Sequence, residues 1–460
     1  MLPIYIPDLL LDLKHCCNQK NTLSLHRENQ KKYTKMSKRN SWIMMLMACV
    51  SVTSVCAQDN DDSQKPRLSL GGYGEATMSR MFYSNNYKRY TNAELYKDAK
   101  GFGQFDLPHV VFYVNYDFGH GWSMGSEIEF EHGGPEAAVE IEEEETGEYE
   151  TEVERGGEVA LEQFWIQKSW SKAVNLRMGH IVVPVGLTNQ FHLPTEFFTV
   201  YRPEGESSIL PCTWHQTGVS LWGRLPEWRY EVQFLAGLEA DLFGAKDWIK
   251  GGSASPYEFD IANSYAGVVR IDNYSLPGLR VGVSGYYGRS AANSLKAEKY
   301  ADVDGDIFIG TVDFEYKAHN WIVRGNFDYG HLTDSEAITK INKTLGKGSV
   351  SPQTSVASDA MCASIEAGYD LFALSAKLRE SQQQLYPFAR YEYYDSMFKT
   401  EGAVVDNPCW ERQKITLGVN YKPMKDIVIK AEWSERLLKR QFNNEPTISL
   451  GIAYSGFFKR

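Results

Sequence analysis

Residues 122–131 read Trp122-Ser123-Met124-Gly125-Ser126-Glu127-Ile128-Glu129-Phe130-Glu131. Side chains alternate across a strand, so Trp122, Met124, Ser126, Ile128 and Phe130 fall on one face and Ser123, Gly125, Glu127, Glu129 and Glu131 on the other. A ladder of carboxylates behind a ladder of large apolar groups suits a strand with water on one side and an apolar medium on the other. The same dyad recurs in Tyr230/Val232/Phe234, Leu279/Val281/Val283, Ile415/Leu417/Val419, Ile427/Ile429/Ala431/Trp433 and Ile448/Leu450/Ile452/Tyr454. Only the stretch from Ala373 to Gln384 reads as an amphipathic helix.

Marking each segment predicts strands over 68–80, 106–117, 122–132, 158–170, 175–182, 213–224, 229–238 and 259–271. The second half adds 279–288, 306–317, 321–330, 359–369, 385–394, 411–421, 427–435 and 446–458. The count is even, and the connections alternate in length, with Asp370 to Gln384 the exception among the short ones. Tight ones such as 118–121, 171–174, 225–228 and 318–320 take turns with long ones at 81–105, 133–157, 183–212, 239–258, 289–305, 331–358, 395–410 and 436–445. Trp122, Trp170, Trp228, Tyr230, Tyr274, Trp321 and Tyr421 stand beside the tight turns, where a ring can sit at a membrane interface. A secreted β-sandwich would also alternate, but has no reason to gather its long loops at one end and its aromatics at the other. The expected fold is all-β: a transmembrane antiparallel β-barrel of about 16 strands with short periplasmic turns and long external loops.

Composition agrees. The 460 residues are 43% hydrophobic, 13% aromatic and 23% charged, which excludes collagen-like and disordered chains. A mean hydropathy of −0.40 excludes a helical membrane bundle. The apolar run from Trp42 to Val50 is too short to span a bilayer. With Lys38 and Arg39 before it and Val55-Cys56-Ala57 after it, it reads as a secretory signal cleaved between Ala57 and Gln58. Cys56 raises a lipoprotein signal as the alternative, although Thr53-Ser54-Val55 lacks the usual residues. Met36 is the expected start, so 1–57 is leader (signal 36–57), 58–67 a periplasmic segment and 68–460 the barrel. Without the leader's eight Lys/Arg and three Asp/Glu, the formal charge of −11 becomes −16, which argues against nucleic acid as a partner. Cys212, Cys362 and Cys409 remain, too few and too scattered for a disulfide framework or a zinc pattern.

The stretch from Arg177 to Leu187 (Arg-Met-Gly-His-Ile-Val-Val-Pro-Val-Gly-Leu), with Thr195 to Glu206 and Trp214 to Gly223, resembles Bacteroidetes outer-membrane porins related to the phosphate-selective porin O and P family. The resemblance spans nearly all of 68–460. It implies a 16-stranded porin, trimeric, whose third external loop folds into the lumen. That loop lacks the Lys/Arg cluster of the phosphate-selective members, so the phosphate label is not carried over. The last strand, Thr447 to Phe458, resembles the signal read by the barrel assembly machinery, with Lys459 and Arg460 departing from the usual terminal Phe.

Loop 183–212 is the expected constriction, stiffened by Pro184, Pro194, Pro203 and Pro211, with His192, Glu196, Arg202, Glu204 and Glu206 as its polar residues. The lumen wall is expected to carry Arg177, Arg224, Arg229, Arg270, Arg280, Arg324 and Arg390 opposed by Glu127, Glu129 and Glu131. Charge rings set ion preference, and the plainer role for each group is a cross-strand salt bridge. Ten Glu and no basic residue between Glu136 and Glu154 could gather divalent cations at a lipopolysaccharide surface, or simply be solvated. No G-x-S-x-G, H-E-x-x-H or P-loop is present, and the histidines show no ligand spacing; no enzyme activity, cofactor or metal is expected. The functional expectation is an outer-membrane porin passing small hydrophilic solutes or ions by passive diffusion, with membrane lipid and lipopolysaccharide as surroundings. The alternatives are a surface binding or adhesion barrel with a closed lumen and, behind it, a barrel enzyme acting on lipid.

Overall fold

Nineteen strands arise in chain order: β1 Leu68–Met81, β2 Gly103–Asp106, β3 His109–Gly119, β4 Trp122–Glu131, β5 Ala138–Glu142, β6 Glu152–Gly156, β7 Glu158–Ser169, β8 Asn175–Val182, β9 His215–Arg224 and β10 Trp228–Ala236, followed by β11 Tyr265–Asn273, β12 Leu279–Arg289, β13 Asp306–Ala318, β14 Trp321–Leu332, β15 Asp359–Tyr369, β16 Gln384–Lys399, β17 Glu411–Met424, β18 Ile427–Leu437 and β19 Glu445–Lys459. They belong to a computed structural model describing residues 67–134, 138–142, 152–253, 261–346 and 349–459. The leader, the Ala57-Gln58 cleavage point and most of the acidic stretch 136–154 lie outside the described residues.

Apart from β5 and β6, which pair only with each other, the strands run antiparallel to their sequence neighbours, and β19 returns to β1 with Gly72 opposite Gly456 and Ala76 opposite Ile452. The sheet is a closed barrel of 16 staves. One stave is made by β2 and β3 together, both paired to β1. The sequence suggests one strand over 106–117; Pro108, which has no N–H for the ladder, divides it.

Burial runs inside out. Phe234 is 56% and Val312 50% exposed on the outer face, whereas Arg270 and Asp313 on the inner face are 0% exposed. Trp122, Trp170, Trp228 and Trp321 stand exposed beside the tight turns. The turn after β3 is tight because Gly119, His120 and Gly121 all take positive φ, at +80°, +54° and +75°.

Strand positions follow the period-two reading closely, with the following differences. The strand expected at 259–271 is Tyr265–Asn273; the one expected to end at 394 continues to Lys399. The helix expected at 373–384 is a short turn over Leu371–Leu374 followed by Ala376–Glu380. A helix over Ser335–Asn342 and the β5–β6 hairpin were not anticipated, both lying where the sequence indicates loops. Among the described residues no helix is long and apolar enough to cross a membrane.

Candidate functional site

The inner wall from β10 to β16 is a set of buried ion pairs. Arg270 holds Asp272 at 2.8 Å and Asp313 at 3.0 Å, Arg280 shares both carboxylates at 3.1 and 2.5 Å, and Arg229 joins Glu231 and Asp272. Further round, Arg324 bridges Glu315 (2.6 Å) and Glu366 (3.0 Å), and Arg390 bridges Glu366 (3.0 Å) and Glu392 (3.1 Å). Arg177 bonds Gln167 and lies 4.6 Å over the Trp165 ring, while Arg224 is exposed at the tight-turn rim, 5.9 Å from the Tyr274 ring. Of the seven arginines named from the sequence, Arg229, Arg270, Arg280, Arg324 and Arg390 are thus paired with carboxylates of their own or nearby strands, whereas Arg177 and Arg224, among the described residues, are not.

Residues 183–212 leave β8 and pass into this interior. Arg270 donates to the carbonyls of Pro184 (3.4 Å) and Gly186 (2.8 Å), and Ser284 accepts from the Gly186 amide. Gly186 has φ +80°, and a Cβ there would lie 1.7 Å from Glu206 Oε1, so only glycine serves. Further on, Lys430 donates to the carbonyls of Phe197 and Thr199, the Val200 amide donates to Glu432, and Phe198 stacks on Phe388 at 5.2 Å. Tyr201 accepts from Thr77 on β1. The segment thus touches β11 and β12 at one point of the barrel and β1 and β16–β18 at others: it crosses the lumen.

The five polar loop residues end in four different places. Arg202 donates to the Tyr73 hydroxyl (3.1 Å) and lies 4.0 Å from Glu129. Glu204 is clamped by Tyr394 (2.7 Å), Lys414 (2.9 Å) and Arg436 (2.6 Å); burial opposes its ionisation, but the cations prevail and hold its carboxyl below the usual range. Glu206 is sealed inside the loop, where its Oε2 accepts from the amide (2.9 Å) and hydroxyl (2.6 Å) of Thr188 and its Oε1 has no partner. His192 and Glu196 border a cavity of about 330 Å³ against the β3–β4–β7–β8 wall, together with Tyr113, Glu127, Trp165 and Arg177. Burial lowers His192 to about 4, leaving its ring neutral.

Burial also pushes the Glu206 carboxyl up to about 7. The folded chain therefore keeps a proton that the unfolded chain releases above its ordinary value near 4.5, so this group's contribution to stability falls as pH rises from about 4.5 to 7. Glu206→Gln should remove that slope, on the order of 3 kcal/mol across the window, as read by urea unfolding at pH 5 and pH 8.

The wall formed by β1, β3, β4 and β7 differs from its opposite. Glu75, Glu127, Glu129 and Glu162 are all buried on it. A bulge leaves Glu162 between Leu161, opposite Ile128, and Gln163, opposite Glu127, so 162 and 163 both turn inward. Glu75 and Glu162 carried the same alternation signal as Glu127; that His109 and Arg202 meet them had no signal in local sequence.

No family model matches the chain. A protein of Aquifex aeolicus (strain VF5) described as uncharacterized is 27% identical over 392 residues, covering 83% of this chain and 78% of that protein. Among solved structures, the anion-selective porin from Comamonas acidovorans aligns with 85% of this chain and 99% of its own, at 10% identity and a TM-score of 0.48. Salmonella typhi OmpF in complex with daunomycin aligns with 85% and 97% at 12% identity and 0.48. The outer membrane channel DcaP of Acinetobacter baumannii gives 85% and 97% at 11% and 0.45. The barrel assignment rests on the chain's own strand pairing.

Proposed function

We propose that the protein is an outer-membrane channel through which small hydrophilic solutes or ions diffuse passively, with residues 183–212 narrowing the lumen. The observation that carries this reading is the inverted burial: a closed barrel with Val, Leu, Ile and Phe outside and carboxylates, guanidinium groups and amides inside suits lipid around and water within. The passage runs along the β3–β4–β7–β8 side, where the cavity lies beside the acidic wall; cations are the favoured ions. Lipopolysaccharide at the long-loop end, the assembly machinery reading β19 and association as a homotrimer belong to the same proposal.

Planar-bilayer recording on the purified protein tests it: stable ohmic steps are expected, with a reversal potential of cationic sign under a salt gradient. Arg202→Glu removes the guanidinium nearest Glu129 and should shift that potential further in the cationic direction by about 10 mV or more in a tenfold gradient. An unchanged potential would place Arg202 away from the ion path.

A second reading is favoured by a specific observation. Trp214, Phe243, Trp248, Ile249, Ile338 and Val356 form one buried apolar cluster from the segments joining β8–β9, β10–β11 and β14–β15. Such a packed mass suits a binding barrel with a closed lumen, for which correctly inserted protein would give no current.

A further inference from the structure

At the long-loop end of β3 and β4, His109 stands opposite Glu131, and Val111 opposite Glu129. The His109 Nδ1 lies 2.7 Å from Glu129 Oε1 and 4.0 Å from Glu131 Oε1, and the three ligand atoms fall within 4.8 Å of one another. On the other side of the ring, His109 Nε2 lies 3.8 Å from Glu75 Oε1 on β1. We propose that this cluster is a binding site for a divalent transition-metal ion, with His109 Nδ1, Glu129 and Glu131 as ligands and Glu75 orienting the imidazole through its Nε2–H.

Three observations carry the proposal. The geometry fits: zinc bonds of about 2.0–2.2 Å to nitrogen and oxygen separate tetrahedral ligands by roughly 3.3 Å, between the two distances found here, so small rotations of Glu129 and Glu131 suffice. A carboxylate behind a ligating histidine is the usual means of fixing its tautomer, and Glu75 stands on that side, 3.8 Å from Nε2 and one small side-chain rotation from hydrogen-bond distance.

Charge balance is the third. Across β11 to β13 the wall matches its buried Asp272 and Asp313 with Arg270 and Arg280. Here, among the described residues, Glu75, Glu127, Glu131 and Glu162 form no ion pair with a lysine or arginine, and Glu129 has only Arg202, at 4.0 Å. Glu127, one inward position below Glu129, is 4% exposed and its Oε1 has no hydrogen-bond partner. Buried carboxylates left so short of cations favour a bound one.

The ligand set selects the ion. One imidazole nitrogen with two carboxylates suits zinc and its neighbours in the first transition series, whereas calcium and magnesium prefer all-oxygen shells.

The test is calorimetric titration of the full chain, folded in detergent and stripped with chelator, using zinc chloride and, separately, calcium chloride. One zinc per barrel with micromolar affinity is expected, and calcium weaker by about a hundredfold. His109→Ala and Glu131→Gln should each weaken zinc by about 30-fold, while replacing the glutamates at 142–145, 148 and 150 by Gln should leave it within about threefold. Glu131, being half exposed, keeps the test open if His109→Ala fails to fold; heat-modifiable migration on gels reports folding. Wild-type protein binding zinc no tighter than millimolar overturns the proposal. So does wild-type affinity in folded His109→Ala or Glu131→Gln, or a loss confined to the loop variant. Binding does not depend on conduction, so a silent barrel that binds zinc and a conducting one that does not are distinct outcomes.

Discussion

Excising residues 190–208 and rejoining the chain with a short Gly-Ser linker is expected to raise single-channel conductance by about threefold or more, because a 16-stranded barrel without its inserted segment retains an aqueous lumen. The excision removes Phe197 and Phe198, both nearly fully buried in the interior, and the Glu204 clamp onto β16–β18. It spares Pro184 and Gly186, where Arg270 fastens the loop's root, and Ile209 and Leu210, which belong to the apolar cluster. Planar-bilayer recording of parent and variant side by side separates the two functional readings. A conducting parent with a wider variant makes residues 183–212 a constriction; a silent parent with a conducting variant makes them a stopper. Equal conductance in the two would show that the segment does not limit passage.

Arg270→Met should destabilise the barrel by about 3–5 kcal/mol, the cost of breaking a buried ion network on one side only. Arg270 is fully buried between Asp272 and Asp313 and donates to two loop carbonyls, so its loss leaves two buried carboxylates sharing Arg280 and frees the start of the lumen segment. Arg270→Lys keeps the charge without the planar fork and should fall between the two. Urea unfolding followed by tryptophan fluorescence measures both; a loss below about 1 kcal/mol for the methionine variant would show that Arg280, with Arg229 on Asp272, satisfies the pair.

The two predictions draw on very differently legible parts of the chain. Strand positions could be read because a stave between lipid and water must alternate, and residues such as Val312 and Asp313 carry that requirement one residue apart. The break at Pro108 was legible in principle, since a residue without an N–H interrupts a ladder, yet the apolar pattern runs through it. The Glu162 bulge was not, because an extra residue shifts the phase of alternation without altering composition.

The site was legible only in outline. That Arg270, Arg280, Arg324 and Arg390 face inward follows from their phase, and that they pair across strands is the plainer role for charges on neighbouring staves. That Glu204 is bound to Lys414 and Arg436, more than 200 residues away, and that Glu206 closes on Thr188 and Gly186 follow from the path of the loop, which local pattern does not encode.

The sequence by itself therefore determined a barrel of alternating strands, its two unlike ends and the inward set of charges, because these depend on a two-residue period and on turn chemistry. The tertiary structure alone decided which inward groups meet: that residues 183–212 cross the lumen from wall to wall, and that His109 joins Glu129, Glu131 and Glu75 across three adjacent strands. Such contacts depend on strand register and on where a long segment packs, both fixed by energies summed over the whole barrel.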